Sequence, residues 1–396
     1  MHRYFHPDTP PYAAILKEIA LALGDRGMAV TVLTCQPSYS RHVVGRAAGS
    51  EQLAPNVRVR RWSVLPDRST TALKIVNMII FILHVVAALL RMKRLDVIMA
   101  ATNPPVLIAS TASLLAKIKR ARFVYHLQDI HPEVSVATTG KASIADRVAN
   151  LVDTWTVRLA DRVVVLSDDM AKVVEERGRR DAIMVINNFD PWQLGSQLLP
   201  EPKRVDGTIR FVYAGNLGRF QNLETLARAI LELRGDDRFA FDFIGDGAMR
   251  PWLQRFVTEN RLWSVGIHGY VEPRRLAGMM RERFDVGVLS LHPGVIRCAY
   301  PSKIMSYLRN GLPVLAVVES DSELIDTLLH RKAGWTADPL RPDAIARAMI
   351  EIAESDQILV QMRDNARQMY LDEFDQSHQL RRWGNLFEDL LVENIR

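Results

Sequence analysis

"TIRFVYAGNLGRFQNLETL", residues 208–226, reads as a strand, a turn and a helix in that order. The apolar run is short and closed by Gly215, which marks a buried strand. Gly215 and Gly218 let the backbone approach a ligand closely or take a positive φ. Free amide N–H groups and a helix N-terminus then converge on one point, and such a point favours an anion. Arg219 adds a planar, permanently charged fork suited to phosphate. Glycine turns of this kind are common, so a plain strand–helix turn with a solvated Arg219 stands beside the ligand reading.

Two stretches downstream repeat the theme. "FIGDGAMRPWL" (243–253) is a second strand–turn–helix, carrying Gly245 and Gly247. In "YPSKIMSYLRNGLPVLA" (300–316), Ser302 and Lys303 open a helix that ends at Gly311 and feeds the next strand. A lysine and a hydroxyl at a helix N-terminus suit an anion. Ser302 is equally readable as a helix cap and Lys303 as a solvated surface charge.

Farther out, the same alternation fills the chain. Buried strands are expected at 28–34, 57–64, 96–102, 122–128 and 162–167, and again at 208–215, 239–247, 264–271, 284–291 and 312–318. Helical patterns lie between them, such as 13–27, with Leu16, Ile19, Ala20 and Leu23 on one side. Two runs of alternating strand and helix predict an α/β protein with two Rossmann-like, doubly wound parallel-sheet domains facing across a cleft. Residues 1–190 form the first domain, 191–207 the linker, 208–370 the second domain, and 371–396 a helix crossing back to the first. No apolar strand precedes the helix at 13–27. A start assigned late explains this, which we favour over a different sheet edge.

The 396 residues suit two domains, and 48% hydrophobic with 24% charged residues is ordinary globular composition. Cys35 and Cys298 are the two cysteines. Without a disulfide framework or an apolar leader behind Met1, a reducing, cytoplasmic location is expected. A net charge of +6 suits an anionic partner. Nucleic acid is the weakest such partner, because zinc-finger spacing, repeats and aromatic-basic motifs are missing.

Taken together, "YFHPDTPPYAAIL" (4–16), "LQDIHPE" (127–133), "GNLGRFQNLETL" (215–226) and "PSKIMSYLRNGLPVLA" (301–316) resemble glycosyltransferase family 4 of the GT-B fold. Within it they resemble the bacterial exopolysaccharide and O-antigen branch of colanic-acid type. The resemblance implies a retaining transfer of a sugar from a nucleoside-diphosphate sugar. It implies a donor site in the second domain, an acceptor site in the first, no metal and no other cofactor. Gly215, Asn216, Gly218, Arg219, Gln221, Gly245, Gly247, Ser302, Lys303 and Glu323 are then the donor-site candidates, with Glu319 beside Glu323. Two departures matter. Asn216 and Gln221 stand where the family often has Arg and Lys, so Arg219 and Lys303 must supply the positive charge. Cys298 and Ser306 stand where it often has glutamates.

On the acceptor side, "YHLQDIHPE" leaves a buried strand with His126, Asp129, His131 and Glu133. Asp129 and His131 are the catalytic candidates, orienting acceptor and reacting sugar. Asp129 reads equally as a turn cap, and His126, within the strand pattern, reads rather as a core histidine. His6, Asp8, Tyr12 and Glu133 are the acceptor-binding candidates, and Tyr12 could equally serve packing.

"LKIVNMIIFILHVVAALL" (73–90) is apolar over 18 residues, a borderline membrane span. Asn77, His84 and Arg91 form a polar stripe on it. Arg58, Arg60, Arg61 and Arg68 precede it, and Lys74 lies at its start. A helix lying in an anionic membrane surface and a core helix packed on the sheet both fit. A lipid-linked acceptor favours the first, with the protein peripheral at the inner face of the cell membrane. Two rivals share the fold: a nucleotide-sugar 2-epimerase, and a non-catalytic nucleotide-sugar-binding partner subunit.

Overall fold

The two runs of apolar strands build two separate sets of parallel strands, one in each of two units. The computed structural model describes residues 1–8, 10–38, 47–65, 71–192 and 207–393. The expected linker lies almost wholly outside these residues, as does Arg68. One unit comprises Met1–Glu133, Ala142–Pro191 and Gln376–Arg396; the other comprises Val134–Lys141 and Trp192–Asp375.

In the first unit β1 (Val30–Cys35), β2 (Ser50–Ala54) and β3 (Val57–Trp62) form a sheet ordered β1-β3-β2. β1 and β3 are parallel, but β2 runs antiparallel to β3. The sequence reading missed β2, a half-exposed strand without an apolar run. β4 (Val97–Ala101), β5 (Arg122–His126), β6 (Arg162–Val165) and β7 (Ile183–Val185) form a parallel sheet in that order. Where no strand was expected, Met1–Arg3 joins the two sheets. Met1 N donates to Met99 O (2.7 Å) and His2 N to Leu33 O (3.3 Å), while Cys35 N donates to Arg3 O (3.2 Å).

The helices in this half of the chain are α1 (Pro11–Asp25), α2 (Thr71–Arg91), α3 (Leu107–Lys119), α4 (Glu133–Thr139), α5 (Ile144–Leu159) and α6 (Asp168–Glu175); all belong to this unit except α4, which beyond Glu133 belongs to the other. α2, α3 and α5 make crossovers that step the same way across the strands, and right-handed connections place them on one face. They pack in the order α2–α3–α5. α1 steps the other way and receives a helix from the far end of the chain, Gln376–Glu393. Trp383, Leu386 and Leu390 there pack with Ile15, Ile19 and Leu23 of α1 over Val124 and Val164.

Two local features fix side chains in this unit. Of the polar stripe of α2, Asn77 and His84 face inward and Arg91 is exposed: Asn77 is fully buried, and its side-chain amide bonds both Leu65 N (2.8 Å) and Leu65 O (3.0 Å). His84 stacks on Trp62 at 5.4 Å. At the start of α6 the cap is the Ser167 hydroxyl, accepting from Met170 N.

The second unit is one parallel sheet: β8 (Ile209–Ala214), β9 (Phe239–Ile244), β10 (Val265–His268), β11 (Val286–Ser290), β12 (Val314–Val317) and β13 (Gly334–Ala337). Its order, β10-β9-β8-β11-β12-β13, reverses direction between β8 and β11. β13 was not anticipated; it has four residues, begins with glycine and follows a turn too closely to read as an apolar run. Its helices are α7 (Leu223–Glu232), α8 (Arg250–Glu259), α9 (Pro273–Arg283), α10 (Lys303–Arg309), α11 (Glu323–His330), α12 (Pro342–Glu354) and α13 (Asp356–Glu373); the helix at Gln376–Glu393 is then α14. Phe211, Phe241 and Phe243 lead the buried core, with Leu226, Ile230 and Ile352 packed on them.

Candidate functional site

In an open parallel sheet the strand ends where the order reverses leave room for a ligand. Here that point is the carboxyl end of β8, beside β11. β8 and β9 are in register up to Ala214 and Ile244, so their turns emerge side by side. Gly215 N donates to Ile244 O (2.8 Å), Leu217 N to Asp246 O (2.9 Å) and Met249 N to Leu217 O (2.9 Å). The turns touch backbone to backbone. A Cβ on Gly245, at φ +142°, would lie 2.0 Å from Gly215 O, and one on Gly247 would lie 2.3 Å from Leu217 O. Gly245 and Gly247 therefore serve the mutual packing of the turns, which fixes the shape of the 215–221 segment.

Lys303, first residue of α10, reaches across to this turn. Its Cε would meet a Cβ on Gly215 at 2.9 Å, so glycine at φ +132° is what admits the lysine stem. Lys303 Nζ donates to Gln221 Oε1 at 2.6 Å and sits 4.9 Å from the centre of the Tyr213 ring. The Tyr213 hydroxyl lies 2.7 Å from the same Gln221 Oε1 and 3.0 Å from Asn216 O. Among the described residues no carboxylate pairs with Lys303, and burial pushes its ammonium down to about 7. Tyr307, buried one turn along α10, accepts from Ala214 N (2.8 Å) and donates to Val288 O (3.2 Å), clamping β8 to β11. The result is a half-buried amine held at the strand ends by neutral groups. It suits an arriving anion, which would supply the countercharge.

The other donor candidates spread around this point. Arg219 opens a short 3-10 turn, is exposed, and has no bonded partner among the described residues. Asn216 is exposed, and its amide would lie 2.9 Å from a Cβ on Gly218. Ser302 is exposed and makes no capping hydrogen bond, so the cap reading is corrected. Glu323 starts α11 at the end of the β12 loop. Glu319 accepts from Gly294 N. It also lines a cavity of about 460 Å³ at the ends of β12 and β13, with Asp338, Leu340 and Arg347, and none of the ten donor candidates lines that cavity.

In the first unit, the candidates split into three groups. Tyr12 OH lies 2.8 Å from His126 Nδ1, whose Nε2 lies 2.7 Å from Gln128 Nε2; Gln128 is bound in turn to Asn188. Burial drives His126 down to about 3, so it is a neutral, satisfied core histidine at neutral pH. Glu133 accepts from Arg177 (2.6 Å) and Asn150 (2.9 Å), and Arg177 also pairs with the buried Asp153. Tyr125 OH donates to Asp153 at 2.6 Å. Glu133 thus belongs to a structural charge network at the end of β5. Asp129 and His131 stay half-buried beside it; burial raises the Asp129 carboxyl and His131 opposes the rise. Asp8 is buried, accepting from Ser38 N (2.9 Å), and His6 gives its carbonyl to Arg61 (2.9 Å). Burial lowers the His6 imidazole, helped by Lys17 and Arg61.

Sequence reasoning missed Tyr213 and Tyr307. Both lie within apolar runs and look like core residues. The usable signal for Tyr213 is its place one residue before the Ala214–Gly215 exit, where a hydroxyl can clear the core.

The glycosyl transferase 4-like domain family matches residues 12–188, and the glycosyl transferases group 1 family matches 208–355. The chain carries these two glycosyltransferase domains in tandem. Its architecture is GT-B. "Probable glycosyltransferase WbjE" of Pseudomonas aeruginosa is 29% identical over 279 residues, covering 67% of this chain and 68% of that protein. Among solved structures, sucrose-phosphate synthase from Thermosynechococcus elongatus superposes with a TM-score of 0.72 at 16% identity, over 97% of this chain and 94% of that one. Anabaena HepE in complex with UDP gives 0.65 at 16% identity, over 98% and 100%. The two domains and these likenesses make the chain a glycosyltransferase of GT-B type.

Proposed function

We propose that the chain is a retaining glycosyltransferase. It moves a sugar from a nucleoside-diphosphate sugar to a lipid-linked saccharide acceptor, in the building of a surface polysaccharide at the inner face of the cell membrane. The observation that carries the donor half of this reading is the Lys303 ammonium. It is lodged against Gly215, held by Gln221 and facing the Tyr213 ring, and placed where the strand order reverses. The complex of Anabaena HepE with UDP supports a nucleoside diphosphate as the anion.

In this reading Lys303 and the exposed Arg219 meet the charge that grows on the leaving diphosphate as the sugar–oxygen bond breaks. The acceptor hydroxyl bonds to the same face of the sugar and passes its proton to the departing phosphate oxygen. No metal is invoked in the step. Asp129 and His131 orient the acceptor and the reacting sugar, and His6, Asp8 and Tyr12 shape the acceptor side of the first unit. Glu133 acts by fixing the 131–133 segment through Arg177.

A thermal-shift series with nucleoside diphosphates and their sugars tests the donor site, because a ligand bound only by the folded chain raises its melting temperature. One nucleotide should stand out, and Lys303→Ala should remove its shift. Proton NMR of the product formed on a saccharide acceptor then reads the anomeric configuration, which should match the donor. Conversion of the sugar with donor alone, or no shift with any nucleotide, would overturn the reading.

A further inference from the structure

The outer faces of α2, α3 and α5 are aliphatic. On α2 the residues turned away from the sheet are Ile75, Val76, Ile79, Leu83 and Leu90, with Leu83 61% exposed. On α3 they are Leu107, Leu114 and Ile118, the last 67% exposed. On α5, Ile144, Val148, Leu151 and Trp155 form a stripe at spacings of four, three and four, and Leu151 is 70% exposed. Twelve of the twenty-two exposed large apolar side chains among the described residues thus fall on three helices packed side by side. Apolar residues scattered singly need no explanation, but a patch of this extent marks an interaction surface. The opposite helical layer is ordinary: α1 exposes no large apolar side chain and α14 exposes Val392 alone.

α2 shows that the pattern is not a by-product of an apolar helix. Its polar groups, Asn77 and His84, are spent on Leu65 and Trp62, and its best aliphatic residues point outward. Phe81, Val85 and Leu89 anchor it in the unit. The helix is long and apolar enough to cross a membrane, but that buried side ties it along the sheet.

Charge says what the face meets. Residues 71–120 contain seven Lys or Arg and one acid, Asp96. Lys119 Nζ donates to Leu90 O (2.8 Å) and Met92 O (2.9 Å), pinning the C-terminal ends of α2 and α3 together. Exposed Arg91, Lys93, Arg94, Lys117 and Arg120 therefore collect at one end of the aliphatic layer. An aliphatic floor with cations at its margin matches a bilayer with anionic headgroups.

We propose that the α2–α3–α5 layer is a seat for an anionic lipid bilayer, with its three aliphatic stripes at the acyl boundary and the α2/α3 cations among the phosphates. This deepens the reading of a lipid-linked acceptor given above and rests on it for its purpose, but its test uses neither donor nor acceptor. The full chain is sedimented with extruded vesicles of 30% phosphatidylglycerol in phosphatidylcholine, and with pure phosphatidylcholine. Binding should favour the anionic vesicles, and raising NaCl from about 0.1 to 0.5 M should weaken it several-fold as the Debye length shrinks. Leu83→Glu combined with Leu151→Glu should lower partitioning at least about tenfold, and Arg91→Glu with Arg120→Glu should abolish the lipid preference. All four sites are solvent-exposed, so melting temperatures should stay near wild type. Equal binding by the Leu variants, or wild-type sedimentation without vesicles through self-association that the same variants abolish, would overturn the proposal. Transfer to a soluble saccharide by a vesicle-blind variant keeps the enzymatic reading while the seat fails or stands on its own.

Discussion

The sharpest consequence of the site concerns the proton on Lys303. With the free-state ammonium at about 7, half of the molecules carry the charge at pH 7 and about one in eleven at pH 8. A bound diphosphate raises that value, so the complex holds a proton that the free site sheds. Affinity is then greatest below pH 7 and falls as pH rises, by about tenfold between pH 6 and pH 8. A nucleotide-sugar is the right probe, since its diphosphate does not titrate in this window. Lys303→Met removes one charge-assisted contact, roughly 1.5–3 kcal/mol, which is about 10- to 150-fold in Kd. Because Nζ rests on Gln221 Oε1 at 2.6 Å, a cation reaching from position 221 arrives at the same place. Gln221→Lys in the Lys303→Met background should therefore recover most of the affinity, now without the pH dependence if the new amine is better solvated. Isothermal titration at pH 6, 7, 8 and 9 with wild type and the two variants reads all of this. A flat wild-type profile, or a Lys303→Met variant that binds as wild type, refutes the reasoning.

Other outcomes follow from the same geometry. Without donor, the wild type should gain stability as pH rises between about 7 and the ordinary lysine value, because the unfolded chain keeps a proton that the folded one sheds; Lys303→Met should flatten that slope in urea melts at each pH. Gly245→Ala should cost about 3 kcal/mol or more, since its Cβ would lie on Gly215 O at a positive φ, and urea unfolding measures the loss. Arg177→Ala strands the buried Asp153 carboxyl and should lose roughly 3–5 kcal/mol, read as a fall in melting temperature. Asn77→Leu leaves both Leu65 backbone groups without the amide and should cost roughly 1–3 kcal/mol for each group that stays dry.

How much of this was legible beforehand depends on range. Runs such as 209–214 and 286–290 announce themselves, because a strand buried on both faces is continuously apolar and stopped by turn residues. The segment 50–54 does not, since it is half-exposed and its identity as a strand comes from pairing with 57–62. In the site, Gly215 and Lys303 were visible as types suited to an anion, but their meeting is not a sequence property. They are 88 positions apart and come together only because β8 neighbours β11. Glycines 245 and 247 were legible as a close-approach turn, but their packing against the 215–217 backbone was not. α2 shows the same limit: the polar stripe was legible, while the burial of Asn77 against Leu65, twelve residues upstream, was not.

The first unit is closed by α14, which follows the entire second unit in the chain. On the ribosome, residues 1–191 emerge first and must wait while 192–375 are made. At roughly 5–20 residues per second that interval is on the order of 10–40 s. Throughout it, Ile15, Ile19 and Leu23 have no Trp383, Leu386 or Leu390 to cover them. The nascent half-protein therefore presents an uncovered apolar surface for the whole of that delay.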